Sequence, residues 1–403
     1  MRGAVLAVGT ELLLGDVVNS NAAWLGKQLA AAGVDVRASE ALPDDLDVLV
    51  AAVHRHLSQV DVLVLSGGLG PTVDDLTREA VAAALDAPLV RDPRIEQQLR
   101  DRFAGWGRPM PDAVLQQADV PAGAEVLENT AGTAPGLWLA QDGKVVVALP
   151  GPPHELRAAA ATVWPRLAAM TGRVVTTRQV LVHGLGESAV AERVEAVVQL
   201  PPGVSLSYLA SGGLVRVRFT TTGAPAVLEP LVAATDAVLA EYVWGHDDQT
   251  VEGVVQDALL DRGQTVAVAE SLTGGALSAV LSGRPGSSAT FRGGLVVYAT
   301  DLKETLAGVP GPLLKASGAV AGDTAAALAA GVRERLGATW GLAVTGVAGP
   351  EEQEGKPVGT VFLAVAGPSS EVLEVRLPGD RDRVRVLTVQ SALHLLRRHV
   401  LAR

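Results

Sequence analysis

Short apolar runs alternate with helix-like segments over residues 1–170. The runs AVLAVG, DVLVLSGG and VVVALPG are apolar almost throughout and end in glycine, which favours short buried strands. Between them, the segment DDLDVLVAAVHRHL places Leu46, Leu49 and Val53 at the spacing of a helix with one buried face. Because strands that alternate with helices indicate a parallel sheet covered on both faces, we expect a three-layer α/β domain here.

The pattern changes over residues 171–248. In LVRVRF, the apolar Val215, Val217 and Phe219 alternate with arginines, which is typical of a strand with one buried and one wet face. The strands VLVHG and VSLSY and the helices ESAVAERVEAVV and AVLEPLVAATDAVLAEY complete a predicted βαββα order. A small α+β domain is therefore expected in the middle of the chain.

Residues 249–403 return to the α/β pattern. The predicted strands are TVAVAES, GGLVVYAT, WGLAVTG and GTVFLAVAG, and GDTAAALAAGVRERLG is a predicted helix. A final helix carries an apolar stripe that includes Val386, Val389 and Leu393. The fold class predicted for the whole chain is α/β with three domains, of which the first and the last are three-layered.

The composition narrows the classes of function. The chain has 403 residues and a net charge of −11, whereas a nucleic-acid scaffold would show a basic field. It has no cysteine, which excludes disulfides and thiolate metal sites. No run reaches about 18 apolar residues, and Thr10 and Glu11 interrupt the segment where a signal peptide needs its apolar core. We expect a cytoplasmic protein that binds neither membranes nor nucleic acid.

The segment AVAESLTGGAL, residues 267–277, is a predicted strand, a polar corner and the start of a helix. Ser271 at this corner is either a nucleophile or an N-cap, and the N-cap is the commoner case. The usual base for a serine is histidine, and the C-terminal segment holds only His394 and His399. Their spacing of five keeps them off one helix face, which disfavours a Ser-His-Asp triad.

Lysine is the alternative base. Only five of the 33 basic residues are lysines, so a lysine that arginine could not replace is easier to notice. Lys303 follows the strand GGLVVYAT, and a lysine whose pKa is lowered by burial can act as a base, which arginine cannot. From the residues alone, the commoner interpretation is an exposed Lys303 in a first helical turn, paired with Glu304 or Asp301.

A glycine-rich turn, LSGGLGPTVDDLTREA, follows a predicted strand at residues 65–80. It is either a plain turn with Asp74 or Asp75 as a helix N-cap, or a phosphate cradle with carboxylates for a divalent metal ion. Further carboxylates, including Asp16 and Asp44, follow other predicted strands, whose carboxyl ends share one edge of a parallel sheet. Together they favour metal-assisted hydrolysis of a pyrophosphate.

The motifs GTELLLGDVVNSN, SGGLGPTVDDLTREA, NTAGTAPG and ALPGPPHEL resemble the molybdopterin-binding-like domain of CinA, the competence/damage-inducible family. The resemblance implies the fold of molybdenum-cofactor biosynthesis domains and an ADP-ribose pyrophosphatase activity that needs a divalent metal ion. It implies catalytic and metal-binding roles for Asp44 and Asp75, with Glu155 as a further metal ligand. It also implies phosphate or ribose contacts at Gly67, Gly68, Thr72 and Asn21.

The motifs AESLTGG, FRGGLVVYATDLK, AVTGVAGP and KPVGTVFLA resemble the CinA C-terminal domain, a nicotinamide mononucleotide deamidase that needs no cofactor. The resemblance implies that Ser271 is the nucleophile, with Lys303 as its base and Tyr298 assisting. Glu270 is expected to orient the corner, and Thr273 to cap the helix and contact phosphate. Substrate or oxyanion contacts are implied at Thr273, Gly274, Gly275, Thr345 and Gly346.

The chain departs from the family pattern in two places near this second motif set. Ala299, Thr300 and Asp301 stand where relatives often read SNE, and the loop PEEQEGKP at residues 350–357 is acidic and lacks the usual glycines. The middle segment resembles the KH-type linker domain of CinA without a clear GxxG clamp, so we expect a structural or dimerising role rather than RNA binding.

The leading hypothesis is a bifunctional nucleotide hydrolase whose substrates are nicotinamide mononucleotide and ADP-ribose. By resemblance it is expected to form a homodimer and to serve pyridine nucleotide recycling. A non-enzymatic nucleotide-binding or scaffold protein, linked to competence or to the DNA damage response, is a second hypothesis. Molybdopterin handling by the N-terminal domain is a third, which rests on analogy of fold alone.

Overall fold

The computed structural model describes residues 1–173 and 175–402. The chain divides into two compact units, residues 1–176 with 221–225, and residues 177–220 with 226–403. The predicted middle and C-terminal domains therefore lie mostly within one unit.

The first unit is the predicted N-terminal α/β domain. Its apolar runs form strands and its helix-period segments form helices, with further short strands between residues 89 and 127. In chain order the elements are β1 (Arg2–Val8), α1 (Thr10–Leu14), α2 (Ser20–Ala31), β2 (Asp35–Leu42), α3 (Leu46–Leu57), β3 (Val62–Ser66), α4 (Thr77–Ala84), β4 (Leu89–Arg91), α5 (Pro93–Gly105), β5 (Asp119–Pro121), β6 (Glu125–Leu127), β7 (Gly136–Gln141), β8 (Lys144–Leu149), α6 (Pro153–Ala159) and α7 (Val163–Thr171).

One six-stranded sheet organises this unit, in the order β2-β1-β3-β8-β7-β6. The first four strands in that order are parallel, and β7 and β6 are antiparallel to their neighbours. Leu6 of β1 belongs to a core with α3, α4 and α5, whereas Val5 belongs to a second core with α2, α6 and α7. Both faces of the sheet are therefore covered, as predicted, and the parallel strands bring the loops after β1, β3 and β8 to one edge.

The elements of the middle segment are β9 (Thr176–His183), α8 (Glu187–Glu195), β10 (Val204–Ser211), β11 (Leu214–Thr221), α9 (Glu229–Leu239) and β12 (Val243–His246). Their strands form a four-stranded sheet in the order β10-β11-β9-β12. The strand β11 buries Val215, Val217 and Phe219 and leaves Arg216 and Arg218 half-buried, which confirms the predicted alternation. The predicted βαββα order is also confirmed, with β12 as one more strand at the end.

The elements of the C-terminal segment are α10 (Val251–Asp261), β13 (Val266–Glu270), α11 (Ala276–Ser282), β14 (Phe291–Val296), α12 (Thr300–Thr305), α13 (Gly311–Ser317), α14 (Gly322–Arg335), β15 (Trp340–Gly346), β16 (Thr360–Ala366), β17 (Glu371–Arg376) and α15 (Arg381–Leu401). Their strands form a five-stranded sheet in the order β14-β13-β15-β16-β17, with β16 and β17 antiparallel to their neighbours. One face of the sheet packs against α10, α11 and α15 and the other against α14.

The last helix, α15, buries Val389 and Leu393 as predicted, but Val386 is 55% exposed. Val384 is buried in its place, so the buried face is shifted at the start of the helix. Trp244 of β12 packs in the same core as α15, which ties the middle sheet to the C-terminal domain. No helix in the part of the chain that the structure describes has the length and apolarity needed to cross a membrane.

Candidate active sites

Ser271 lies immediately after β13, at the corner before α11. Its main-chain N–H donates to the carbonyl of Val344 in β15 at 3.0 Å, so Ser271 continues the pairing of β13 with β15. The next turn needs glycine, because Gly274 and Gly275 have φ values of 59° and 99°. The strand and the glycine turn together fix the position of the Ser271 hydroxyl.

Glu270 organises the start of α11. Its fully buried carboxylate accepts hydrogen bonds from the N–H groups of Gly275, Leu277 and Ser278 and from the Ser278 hydroxyl, at 2.6–3.0 Å. The expectation that Glu270 orients the corner is confirmed. The expectation that Thr273 caps the helix is wrong, because its buried hydroxyl has no hydrogen-bond partner among the described residues and the cap position is Gly275.

Lys303 contacts Ser271. Its side chain is on α12 and is only 1% exposed, and its Nζ donates to Ser271 Oγ at 3.0 Å and to the carbonyl of Val297 at 2.6 Å. Burial lowers the pKa of Lys303 from 10.5 to about 8, and the negative charge of Glu354 opposes that shift. The alternative of an exposed lysine paired with Glu304 or Asp301 is therefore wrong.

A small pocket of about 100 Å³ surrounds this pair. Thr273, Gly274 and Gly275 do not line it, because the corner turns them away from the pocket and the buried Thr273 hydroxyl faces the interior. The expected contacts at these three residues are therefore not supported at this pocket. The Thr345 hydroxyl donates to the carbonyl of Ala319 at 2.7 Å. The predicted residues that line the pocket are Ser271, Tyr298, Lys303, Thr345 and Gly346.

Arg381, the first residue of α15, is a pocket residue that the sequence analysis missed. Its guanidinium donates to the Tyr298 hydroxyl at 2.6 Å and to the carbonyl of Gly349 at 2.5 Å. It supplies a second cation beside Lys303. Its only signal in the sequence is its place directly after the helix cap Asp380, and nothing local links it to Tyr298, which lies 83 positions earlier.

The acidic loop at residues 350–357 forms part of the same pocket. Glu351 and Gln353 line it, and the Glu354 carboxylate accepts hydrogen bonds from the N–H groups of Ala319 and Val320 at 2.9 and 3.0 Å. Glu354 also has a left-handed backbone, with φ 53°, which is uncommon for a residue with a side chain. The loop is thus attached to the opposite segment by one carboxylate.

The histidines of the C-terminal segment lie elsewhere. His394 is buried and stacks on His183 with ring centroids 3.8 Å apart, and burial lowers the pKa of both rings, so they are neutral near pH 7. His399 contacts Ser369 and Glu371. None of these rings lines the pocket, so the structure supports no Ser-His triad at Ser271.

A second cleft, of about 380 Å³, lies at the carboxyl edge of the parallel strands in the first unit. We call it the glycine cleft. A Cβ on Gly67, which has φ 104°, would lie 2.3 Å from the carbonyl oxygen of Val8, so only glycine fits there. The predicted residues that line the cleft are Asp44, Gly67, Gly68, Thr72, Asp75 and Glu155.

Each predicted carboxylate in this cleft accepts hydrogen bonds from protein groups around the cleft. Asp75 accepts hydrogen bonds from the N–H groups of Gly70 and Thr72 and from the Thr72 hydroxyl, at 2.5–2.8 Å. It closes the turn and does not cap α4, whose cap position is Leu76, so the N-cap interpretation of Asp74 and Asp75 is wrong. Asp44 accepts from the N–H and hydroxyl of Thr10 at 2.9 and 3.0 Å.

Glu155 and Asn21 join neighbouring segments. Glu155 accepts a hydrogen bond from Asn129 Nδ2 at 2.7 Å. Asn21 Nδ2 donates to Ser66 Oγ and to the carbonyl of Gly151, and Asn21 is not among the residues that line the cleft. Within residues 1–173 and 175–402, no three His, Asp or Glu side chains are grouped as a protein-only metal site requires.

Arg78 of α4 supports the glycine cleft, and no pattern in the sequence singles it out. It is 2% exposed, and its guanidinium donates to the carbonyls of Leu69 and Gly70 at 2.7 and 3.2 Å. Asp75 thus holds N–H groups of the glycine turn while Arg78 holds its carbonyls. The turn is fixed before any ligand binds.

Comparisons with known proteins agree with this three-part layout. Family models match residues 4–169 as a probable molybdopterin binding domain, residues 177–245 as the damage-inducible protein CinA KH domain, and residues 248–400 as the CinA C-terminal domain. A CinA-like protein of Frankia casuarinae is 48% identical over 99% of this chain and 96% of its own length.

Two further comparisons have lower similarity. A putative competence-damage inducible protein of Desulforudis audaxviator is 41% identical over 98% of both chains. The crystal structure of a CinA protein of unknown function from Thermoplasma acidophilum is 35% identical, covers 41% of this chain and 99% of its own, and has a TM-score of 0.39.

Proposed function

The chain belongs to the CinA family, and from that premise we propose that it is a bifunctional nucleotide hydrolase with one active site in each α/β domain. The C-terminal site converts nicotinamide mononucleotide and water to nicotinate mononucleotide and ammonia. The glycine cleft hydrolyses ADP-ribose to AMP and ribose 5-phosphate with the help of a divalent cation. Both activities recycle breakdown products of pyridine nucleotides.

The contact between Lys303 and Ser271 carries the first half of the proposal. A buried amine with a pKa of about 8 is partly neutral near pH 7, and its Nζ is 3.0 Å from the serine oxygen. Leaving a lysine in an apolar interior is unfavourable for folding, so a protein that only binds nucleotides has no use for this arrangement.

The reaction then follows the serine–lysine route. Lys303 accepts the Ser271 proton as the serine oxygen attacks the carboxamide carbon of the substrate. The protonated lysine returns that proton to the departing nitrogen, so ammonia leaves and an acyl ester remains on Ser271. Water, deprotonated by the same amine, attacks the ester, and the carboxylate product leaves with the serine restored.

The groups around the pair suit the rest of the substrate. The main-chain N–H of Leu272, which lines the pocket directly after the nucleophile, has no acceptor in the described part of the chain, so it is available to the developing oxyanion. Arg381, which already donates to Tyr298, is placed to bind the phosphate of the mononucleotide. Tyr298 is positioned by that contact and assists at the rim of the pocket.

The pocket must open to admit a mononucleotide. Its volume is about 100 Å³, whereas ligand pockets generally exceed about 300 Å³. The loop at residues 350–357 is the segment that moves in this proposal, because Glu354 attaches it through only two hydrogen bonds. Release of Glu354 also removes a negative charge near Lys303, which lowers the pKa of the amine further.

The glycine cleft supplies different chemistry. A Mg²⁺-like ion commonly binds through one or two carboxylates together with the phosphates of the substrate, which fits side chains that share a cleft without forming a three-ligand group. Asp44 and Glu155 are the residues that would hold it, and it would polarise the phosphoryl oxygens. The N–H groups of the glycine turn bind the diphosphate, and Asp75 keeps that turn in place.

One pair of assays tests the proposal. The purified protein is incubated separately with nicotinamide mononucleotide and with ADP-ribose, each with Mg²⁺ and with EDTA. We expect ammonia release to persist in EDTA and AMP formation to stop. A protein that binds both nucleotides and converts neither would support the scaffold hypothesis instead. A homodimer and a cytoplasmic location remain predictions that light scattering and cell fractionation can check.

A further inference from the structure

A third cavity, of about 550 Å³, lies in the first unit beside α5. We call it the outer cleft. It has an apolar side from Ile95, Leu99 and Val126 and a polar side from residues such as Gln98 and Glu128. The motif NTAGTAPG, residues 129–136, contributes Asn129, Gly132 and Thr133 to its lining, but the proposed chemistry does not use the cavity.

The outer cleft adjoins the glycine cleft. Thr133 lines both cavities. Asn129 lines the outer cleft, and its Nδ2 donates at 2.7 Å to Glu155, which lines the glycine cleft. A Cβ on Gly132, another outer-cleft residue, would lie 1.9 Å from the carboxyl carbon of Glu155. The segment at residues 129–133 is thus a thin wall shared by the two cavities.

We propose that the outer cleft binds the nucleoside end of a nucleoside diphosphate ester whose two phosphates lie in the glycine cleft. This assignment rests on the hydrolase function proposed above and adds the orientation of the substrate. The glycine cleft, at about 380 Å³, is near the lower end of the range of about 300–1,000 Å³ that is usual for ligand pockets. A ligand with a second ring system needs an adjoining volume, and the shared wall places one there.

The charges of the outer cleft favour a neutral ligand group over a phosphate. Its two arginines are already engaged, because Arg94 pairs with Asp92 at 2.8 Å and Arg102 donates to the carbonyl of Asn129. Carboxylates outnumber them, and Glu128 is exposed to the cavity. A carboxylate beside an apolar wall suits a ribose diol joined to a flat base, as in many nucleotide sites.

The test fills the outer cleft without disturbing the core. Gln98 is exposed on α5 and lines the cavity, so Gln98→Trp occupies it, whereas Gln97→Trp adds the same side chain one position away and outside the lining. Binding is measured by calorimetry in Mg²⁺, because the proposed diphosphate site includes a cation. The probes are the α,β-methylene analogue of ADP-ribose, which spans both clefts, cannot be cleaved at its bridging carbon and stands in for ADP-ribose in binding, and ribose 5-phosphate and pyrophosphate, which fit the glycine cleft.

We expect Gln98→Trp to weaken ADP-ribose binding by about tenfold or more while leaving the two short probes unchanged. Gln97→Trp should change none of the three. If Gln98→Trp left ADP-ribose binding intact in a protein that cleaves ADP-ribose, the assignment would be wrong and the hydrolase function would stand. If ADP-ribose bound in this way but was never cleaved, the assignment would stand and the hydrolase function would fall. A wild-type protein that binds no ADP-ribose would overturn both.

Discussion

The Ser271 pocket and the glycine cleft place their polar groups in opposite ways. In the pocket, a hydroxyl and a buried amine touch each other, and the framework around them is held by other residues, chiefly Glu270. In the cleft, Asp44 and Asp75 accept hydrogen bonds from their own framework, and no three acidic side chains converge within the described residues. The first site therefore carries its own reactive groups, whereas the second is a hydrogen-bonded cradle that, in the function we propose, relies on a cation and the substrate's phosphates.

Replacement of the base should have the largest expected effect, and it should affect only one of the two activities. Lys303→Arg keeps the positive charge but cannot accept the serine proton. We expect ammonia release to fall by about 10³-fold or more, while ADP-ribose cleavage is unchanged. The second activity and the thermal midpoint serve as controls for folding. Near-normal deamidation at neutral pH would show that the amine is not the base.

Removal of one carboxylate from the glycine cleft should have the opposite selectivity, with a loss of AMP formation and not of ammonia release. Asp44→Asn keeps an acceptor for Thr10 but takes away the charge for a cation, so we expect AMP formation to fall by about 10²-fold with ammonia release unchanged. Asp47→Asn, at an exposed position of α3, is the matched control. AMP formation by Asp44→Asn at the wild-type rate at low Mg²⁺ would show that Asp44 does not bind the cation.

The two activities should also differ in their pH dependence. The pKa of Lys303 is lowered to about 8, and only the neutral amine can act as base, so kcat/KM for deamidation should rise with pH and level off above about 8. Below that value it should fall by about tenfold per pH unit. A profile for deamidation that is flat from pH 6 to 9 would contradict this role.

The smallest expected change concerns the charge of Glu354, which raises the pKa of Lys303. Glu354→Gln removes that charge, so the midpoint of the deamidation profile should move to lower pH by a fraction of a unit. The weaker attachment of the loop should change KM as well. Glu352→Gln, an exposed change in the same loop, should do neither. A midpoint that moves to higher pH would show that Glu354 acts in another way.

The sequence predicted the elements well and the orientation of side chains less well. The strand and helix periods located the three main sheets, and the motifs placed Ser271 and Lys303 in one site although 32 positions separate them. Local patterns could not show that the corner turns Thr273 inward, or that Asp75 bonds within its own turn rather than capping α4.

The remaining misses depend on tertiary contacts that no local pattern encodes. Arg381 reaches Tyr298 from the start of the last helix, and Arg78 holds the glycine turn from inside a helix whose sequence looks ordinary. Glu354 lies in a loop that the sequence marked only as acidic. In each case a long or charged side chain crosses between elements, and its direction is set by packing that becomes visible only in the folded chain.

The most direct measurement is the ammonia yield of Ser271→Ala incubated with nicotinamide mononucleotide, with its ADP-ribose cleavage measured in parallel. Ser282→Ala, an exposed serine of the same short helix α11, is the control. We predict that Ser271→Ala releases no ammonia above the rate without enzyme and cleaves ADP-ribose at the wild-type rate. Ammonia release at or near the wild-type rate would contradict the assignment of Ser271 as the nucleophile.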